Sequence, residues 1–409
     1  MDMRTTPTFS LDPTGSQSNT QRVPRIHALD TLRGFALLGI LVVNLSAFAY
    51  PMYLFGAPAP TLLDQVAQWM ISFLGEVKFF VLFSFLFGYG LSVQMESARK
   101  KGLDLKGRYR RRLIGIFAFG LLHAIFLFHG DILICYSILG AFLWWMREWS
   151  SRRLVSFGLS MLVVAGGTFF IIGWGAGTTS PSTEELQLAE SARQAYSGTW
   201  IDSVFQRIVD WVIVTPFLLL YNWPAAMAMF VLGLAAGKIQ LIHCIDEYWP
   251  TLVKLFPIAL GLAVLGNGLY ASAAILGELA GPQYPWVPAL ATTHIAFTGP
   301  AFTFCLCLML LWASKENRLT RIRSALRAAG RLSLTNYLGQ SFICGLIFNG
   351  YGLGLYEKIQ PAGLLLLAFV IFAGQAGMSV WWMKHFRHGP LEWLLRAWTY
   401  QSVPVLRRH

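Results

Sequence analysis

Apolar and polar residues follow one another along this chain in long blocks, without the short periodicity of a water-soluble fold. Apolar runs of about 20 residues, the length that crosses a bilayer, recur about ten times. They lie near 32–50, 74–95, 112–129, 131–148, 154–174, 212–237, 252–276, 288–313, 332–351 and 361–383, the sixth broken by Pro216 and Pro224. Residues 1–24 are rich in Ser, Thr, Gln and Pro, the composition of a disordered tail. Residues 178–207 form the longest polar insertion, with Glu184, Glu185 and Glu190, and read as a surface helix outside the bundle. Residues 384–409 read as an interfacial helix and tail. The pattern predicts an all-α polytopic membrane bundle over residues 25–383, with no internal repeat.

Composition strengthens that picture. The 409 residues are 55% hydrophobic and 13% charged, about half the charge of a soluble protein. The surplus apolar surface calls for a lipid bilayer as partner. A net charge of +12 raises the possibility of nucleic acid, but its placement argues for topology instead. Of the 32 Lys and Arg residues, all except Lys78, Arg193, Arg207 and Lys358 fall on segments sharing one side when the N-terminus is cytoplasmic. By the positive-inside rule both termini are then cytoplasmic. Ala47-Phe48-Ala49 resembles a cleavage site, but the segment is long and begins with a charged pair, so the first run reads as an uncleaved span. The five cysteines show no C-x-x-C pair, zinc spacing or disulfide framework, and no metal site is expected.

Candidate chemistry comes from polar residues within or beside apolar runs, where they are costly. Asp30 suits an N-cap, whereas Arg33 sits against the positive end of a helix macrodipole. A rise of ~1.5 Å per residue puts Asn44 and His123 about 16 Å, and Gln340 about 13 Å, from the basic edge. Asn336 and Gln340 share a helix face. These groups either line one midplane cavity or hold helices together as interhelical hydrogen bonds. His123 reads as a general base with Asp131 positioning an acceptor, or as a packed histidine with Asp131 capping the next span. Eight residues of mostly helical chain would hold the two about 12 Å apart, so a substrate or water is expected to bridge them. Tyr136 points toward the same space. Glu76 and Lys78 read as interfacial, Lys78 by snorkelling. Arg111 and Arg112 are either a topology signal or a site for donor phosphates. Glu392 and Arg396 are spaced for one ion pair on the last helix.

Several separated stretches resemble one family. They are Arg25 with Leu29-Asp30-Thr31-Leu32-Arg33-Gly34; Lys78-Phe79 with Leu82-Phe83-Ser84-Phe85-Leu86-Phe87-Gly88; and Arg111-Arg112-Leu113 with His123 and Gly130-Asp131-Ile132-Leu133. Gly330-Arg331 with Leu334-Thr335-Asn336-Tyr337-Leu338-Gly339-Gln340-Ser341 follows, then Gly389-Pro390-Leu391-Glu392-Trp393 with Arg396 and Thr399-Tyr400. Together they resemble the YeiB-like bacterial membrane proteins, the domain-of-unknown-function family numbered 418. The resemblance implies a multi-pass protein of the bacterial cell (inner) membrane. The first span is also similar to a wider superfamily of transmembrane acyltransferases, including heparan-glucosaminide acetyltransferase-like proteins. Those move an acyl group from a cytoplasmic thioester to a sugar or similar acceptor across the membrane. Their histidine lies in the loop after the first helix, where Pro51 to Asp64 has none, or within that helix, where Asn44 stands here.

On that resemblance the chain is expected to be an acyltransferase with acyl-CoA as co-substrate, a glycan or lipid acceptor and no tightly bound cofactor. The superfamily's catalytic histidine does not carry over, and His123, from its depth and its place in the narrower family's stretch, would be catalytic in its stead with Asp131. Asp30, Arg33, Asn44, Lys78, Tyr136, Asn336, Gln340, Glu392 and Arg396 would meet substrate. A small-molecule or lipid exporter also fits the broken sixth run, as does a non-catalytic membrane protein. The charge placement makes one firm prediction: a reporter fused to the C-terminus reads as cytoplasmic, and a periplasmic signal would refute the topology.

Overall fold

The computed structural model describes residues 27–54, 59–178, 182–280, 286–315 and 320–408; the expected tail, 1–24, lies outside them. Among the described residues the chain forms fifteen α-helices and no β-strand. They are α1 (His27–Ala49), α2 (Leu62–Leu74), α3 (Lys78–Lys100), α4 (Lys106–Phe126), α5 (Leu133–Trp145), α6 (Ser151–Thr178), α7 (Thr183–Ser197) and α8 (Trp200–Tyr221). The rest are α9 (Trp223–Lys238), α10 (Ile245–Ala280), α11 (Trp286–Lys315), α12 (Thr320–Arg331), α13 (Ser333–Phe348), α14 (Pro361–His385) and α15 (Pro390–Tyr400). Among the described residues, seven helical segments are long and apolar enough to cross a membrane: α1, α2 with α3, α6, α8, α10, α11 and α14. Large apolar side chains line their outer faces, as at Ile258, Leu262, Leu265 and Leu269 along one stripe of α10. The protein is an all-α polytopic membrane bundle.

Three predicted runs break differently from expectation. The run near 74–95 reaches back to Leu62 and kinks between α2 and α3, where Val77 adopts φ +67°. A β-branched residue resists that left-handed conformation, so surrounding contacts must hold it. The run near 212–237 parts at Asn222 into α8 and α9. Pro224 stands in the first turn of α9, where a missing N–H costs nothing. α8 extends back to Trp200, through the end of the stretch read as polar insertion, leaving α7 as the surface helix. The run near 332–351 continues upstream as α12, interrupted only at Leu332.

Glycines set how closely the helices approach. A Cβ added to Gly34 would lie 1.9 Å from the Leu326 carbonyl oxygen, and one on Gly330 would lie 1.8 Å from that of Asp30. α1 and α12 therefore touch backbone to backbone. Gly88 and Gly233 do the same for α3 and α9, against Phe230 and Phe85. Lipid offers no hydrophobic drive between helices, so such close van der Waals contact supplies much of the association. Leu37, Leu41 and Leu45 of α1 then bury against Tyr337, Cys344 and Phe348 of α13 and Ala368 and Ile371 of α14.

Two glycine substitutions should behave oppositely. Gly330→Ala should lower the thermal midpoint in detergent, with overpacking costing about 1–3 kcal/mol. Gly167→Ala on α6, where a Cβ meets nothing within 4 Å, should be neutral or stabilising by up to ~1 kcal/mol.

Candidate functional site

α4 ends at Phe126, and the amides of Leu127 and Phe128 both donate to the His123 carbonyl, at 2.9 and 2.8 Å. That tight reversal carries Asp131 back alongside the helix it has just left. Asp131 Oδ2 lies 2.7 Å from His123 Nδ1. The expected 12 Å separation is therefore wrong, because a helical rise does not apply across a chain reversal. Gly120, one turn before His123, leaves room: a Cβ there would lie 2.8 Å from Asp131 Oδ1. That oxygen accepts from the Ile134 amide at 2.8 Å. One carboxylate thus both orders the first turn of α5 and holds the imidazole.

The other ring nitrogen, Nε2, lies 2.8 Å from Ser341 Oγ on α13. His123 is 0% exposed and Ser341 2%. A carboxylate only accepts, so Nδ1 carries a proton, and in the neutral imidazole Nε2 then accepts from the serine hydroxyl. The Tyr337 ring, one turn before Ser341, sits 4.9 Å from the imidazole. Tyr136 does not reach the pair; its hydroxyl donates to the Phe80 carbonyl and meets Ser84 on α3. Ser341 stands in one of the stretches that carry the family resemblance, but its spacing gives no sign of a partner. Its role depends on the helix lying opposite.

A second buried cluster lies beyond the α4–α5 turn. Asp210 of α8 accepts from the hydroxyls of Tyr53 and Tyr196 and from Gln206, and His129 Nδ1 is 3.9 Å away. Burial and the Asp210 carboxylate push both phenols above their ordinary range, which keeps them as donors. Arg207 donates to the Phe126 carbonyl and to Tyr351. A carboxylate inside the apolar run Ile208-Val209-Asp210-Trp211-Val212 was a legible signal that the sequence reading passed over.

At the arginine-rich end, Glu392 of α15 spans the interruption between α12 and α13. Its Oε1 accepts from the amides of Leu334 and Thr335, at 2.6 and 3.0 Å, and its Oε2 from Thr335 Oγ1 at 2.6 Å. The expected Glu392–Arg396 ion pair does not form, because the free amides of α13 claim the carboxylate. Arg396 and Arg108 instead lie over the Tyr400 ring, at 5.5 and 5.3 Å. Arg111 Nε donates to the Thr399 carbonyl at 2.9 Å, at the C-terminal end of α15, where a cation is favoured. Arg112 lies 5.2 Å from the Phe87 ring. Asp30 stands in the first turn of α1, inside the helix and not at its N-cap, 3.5 Å from Arg33.

These contacts join stretches far apart in the chain, and comparison with known proteins finds the same breadth of similarity. A family profile described as "Protein of unknown function (DUF418)" matches residues 236–402. "Uncharacterized protein YxaH" of Bacillus subtilis (strain 168) is 33% identical over 404 residues, covering 94% of this chain and 96% of its own. The chain belongs to the DUF418 family. "Uncharacterized protein YeiB" of Escherichia coli (strain K12) is 27% identical over 92% of this chain and 96% of its own. The DUF418 profile takes in Ser341, Glu392 and Arg396, whereas His123 and Asp131 precede it; the full-length relatives span both.

The remaining predicted residues of this DUF418 chain fall into two groups. Asn336 Nδ2 donates to the Ala329 carbonyl and to Ser379, and Gln340 Nε2 donates to the Leu37 carbonyl. Both hold helices together, and Asn44 is half-buried, with no side-chain hydrogen bond among the described residues. Lys78 departs from the snorkelling expectation. It is 1% exposed, and its neighbour Phe79 packs on Gly39, midway along α1. Its Nζ donates to the Ser72 carbonyl at 2.6 Å, closing the end of α2. Glu76 accepts from Ser72 and Tyr270 at the start of α3. Each charge sits at the helix end of opposite polarity.

Burial raises the Glu392 carboxyl above its ordinary range. A raised folded-state value means this group's contribution is complete below the ordinary carboxylate range and is lost as pH rises through the folded value. Docking of α15 should therefore loosen as pH rises, read as lower hydrogen-exchange protection over 390–400 relative to the intrinsic rate at each pH. Glu392→Gln should flatten that dependence, and Glu392→Ala should release the helix at every pH.

Proposed function

We propose that this protein is a transmembrane acyltransferase that passes an acyl group from a cytoplasmic acyl-CoA to a hydroxyl or amine acceptor on the far side or in the lipid. The observation that carries the reading is His123, held in the bundle interior between an acid and a hydroxyl. Asp131 fixes the tautomer and stabilises the imidazolium formed when Nε2 takes a proton. The low-dielectric surroundings strengthen that pairing.

The arginine-rich end supports a polyanionic donor. Arg108, Arg112 and Arg396 surround Phe87 and Tyr400 with no carboxylate partner among the described residues. Three guanidiniums without acids suit the phosphates of a nucleotide-containing thioester. Arg111 is committed to the α15 carbonyl end and would hold that helix in place. In this reading the arginine-rich end faces the cytoplasm of a bacterial inner membrane.

One observation favours export instead. The α2–α3 break, with Lys78 and Glu76 at its two ends, resembles the discontinuous helices that bind substrates and ions in transporters. The two readings separate in proteoliposomes. Acyl transfer requires donor consumption, and export proceeds without a donor.

His123→Ala should lower thiol release from acyl-CoA by about 10²–10⁴-fold at unchanged folding, the usual worth of a general base. Asp131→Asn should cause a large loss as well, with the imidazole held in the wrong tautomer. Unchanged turnover in His123→Ala would refute the reading.

A further inference from the structure

The hydroxyl that His123 Nε2 engages belongs to the protein. Ser341 Oγ occupies the acceptor position of the imidazole at 2.8 Å, and Asp131 holds the opposite nitrogen at 2.7 Å. An acceptor hydroxyl deprotonated directly by His123 would first have to displace Ser341. We infer that Ser341 is the nucleophile of a two-step transfer and carries the acyl group as an ester between donor and acceptor. This rests on the acyl-transfer reading and assigns it a covalent intermediate.

Three features favour Ser341 over a merely structural hydroxyl. Acid, imidazole and serine form one unbroken hydrogen-bonded chain, the arrangement that activates a weak hydroxyl nucleophile. All three are buried, so water that would hydrolyse an ester is excluded. Ser341 also stands on α13 six residues beyond Thr335, which Glu392 contacts at the arginine-rich end. A helical rise of ~1.5 Å per residue puts it about 9 Å deeper into the bundle. A serine at that depth takes the acyl group from a donor on one side and presents it to an acceptor on the other, so the two substrates need not share one chamber.

The step balances without a redox partner. Ser341 Oγ attacks the thioester carbonyl carbon while Nε2 takes the hydroxyl proton. The C–S bond breaks, and the thiolate leaves as thiol with that proton. In the second half the acceptor hydroxyl or amine attacks the ester carbonyl and gives its proton to Nε2. The C–Oγ bond then breaks and Ser341 recovers the proton.

The test uses full-length purified protein in detergent with a panel of acetyl-, succinyl-, octanoyl- and palmitoyl-CoA and no acceptor. One donor should give a thiol burst stoichiometric with protein. After acid quench, peptide mass spectrometry should find the acyl group on Ser341. Ser341→Ala should lose the adduct and slow thiol release by about a hundredfold or more. Ser341→Cys should carry the acyl group as a hydroxylamine-labile thioester, which a structural hydroxyl would not predict. An adduct on His123, or Ser341→Ala releasing thiol within about threefold of the parent, would overturn the inference and leave the acyl-transfer reading intact. No thiol release from any donor by folded parent protein without acceptor would overturn the inference and leave one-step transfer standing; no release with a panel of sugar and lipid acceptors added would overturn both.

Discussion

In the bilayer core no water is available to satisfy a backbone group freed where a helix stops. The bundle depends on how it meets that constraint. At the α2–α3 kink, Lys78 closes the Ser72 carbonyl. Between α12 and α13, Asn336 takes the Ala329 carbonyl, and Glu392 takes the amides of Leu334 and Thr335. At the α4–α5 turn, Asp131 takes the Ile134 amide. These three interruptions are each finished by a polar side chain, and these side chains are among the residues that stand out as candidates for chemistry; the α8–α9 break is closed by the Asn222 backbone amide on the Leu218 carbonyl.

That coincidence bears on how the site is built. Asp131 spends one oxygen on α5 and the other on His123. The imidazole is positioned by a group the fold already needs, so its orientation is as rigid as the turn. Glu392 likewise ties α15 to α13, while Arg111 ties it to α4. The C-terminal helix thus belongs to the bundle's architecture and brings Arg396 beside Arg108 around one ring. The glycine contacts of α1 with α12 bring Asp30 and Arg33 to the same end.

Much of this was legible along the chain. Block hydropathy predicted an all-α membrane bundle. Charge marked Glu392 and Lys78 as unusual, and position marked His123 and Asp131. Their partners were not legible. Glu392 pairs with α13 rather than with Arg396 because an open helix start offers two amides in fixed geometry. Lys78 lies deep rather than at the surface because the helix before it continues to Leu62. His123 touches Asp131 because the chain turns back on itself within four residues.

The sequence by itself determined which segments enter lipid, since transfer of a helix from water depends on the apolar content of that segment alone. It also determined that a histidine, several amides and a lysine would lie within or beside those segments. Only the tertiary structure decided what each one meets. Ser341 acquires meaning from a helix more than two hundred residues away, and the Asp210 cluster from a loop, a surface helix and α8. Hydrogen bonding is short-ranged and directional, so it is settled by which helices touch and in what register. In this bundle that register is set by glycine contacts and chain reversals, and residue spacing along the chain does not encode it.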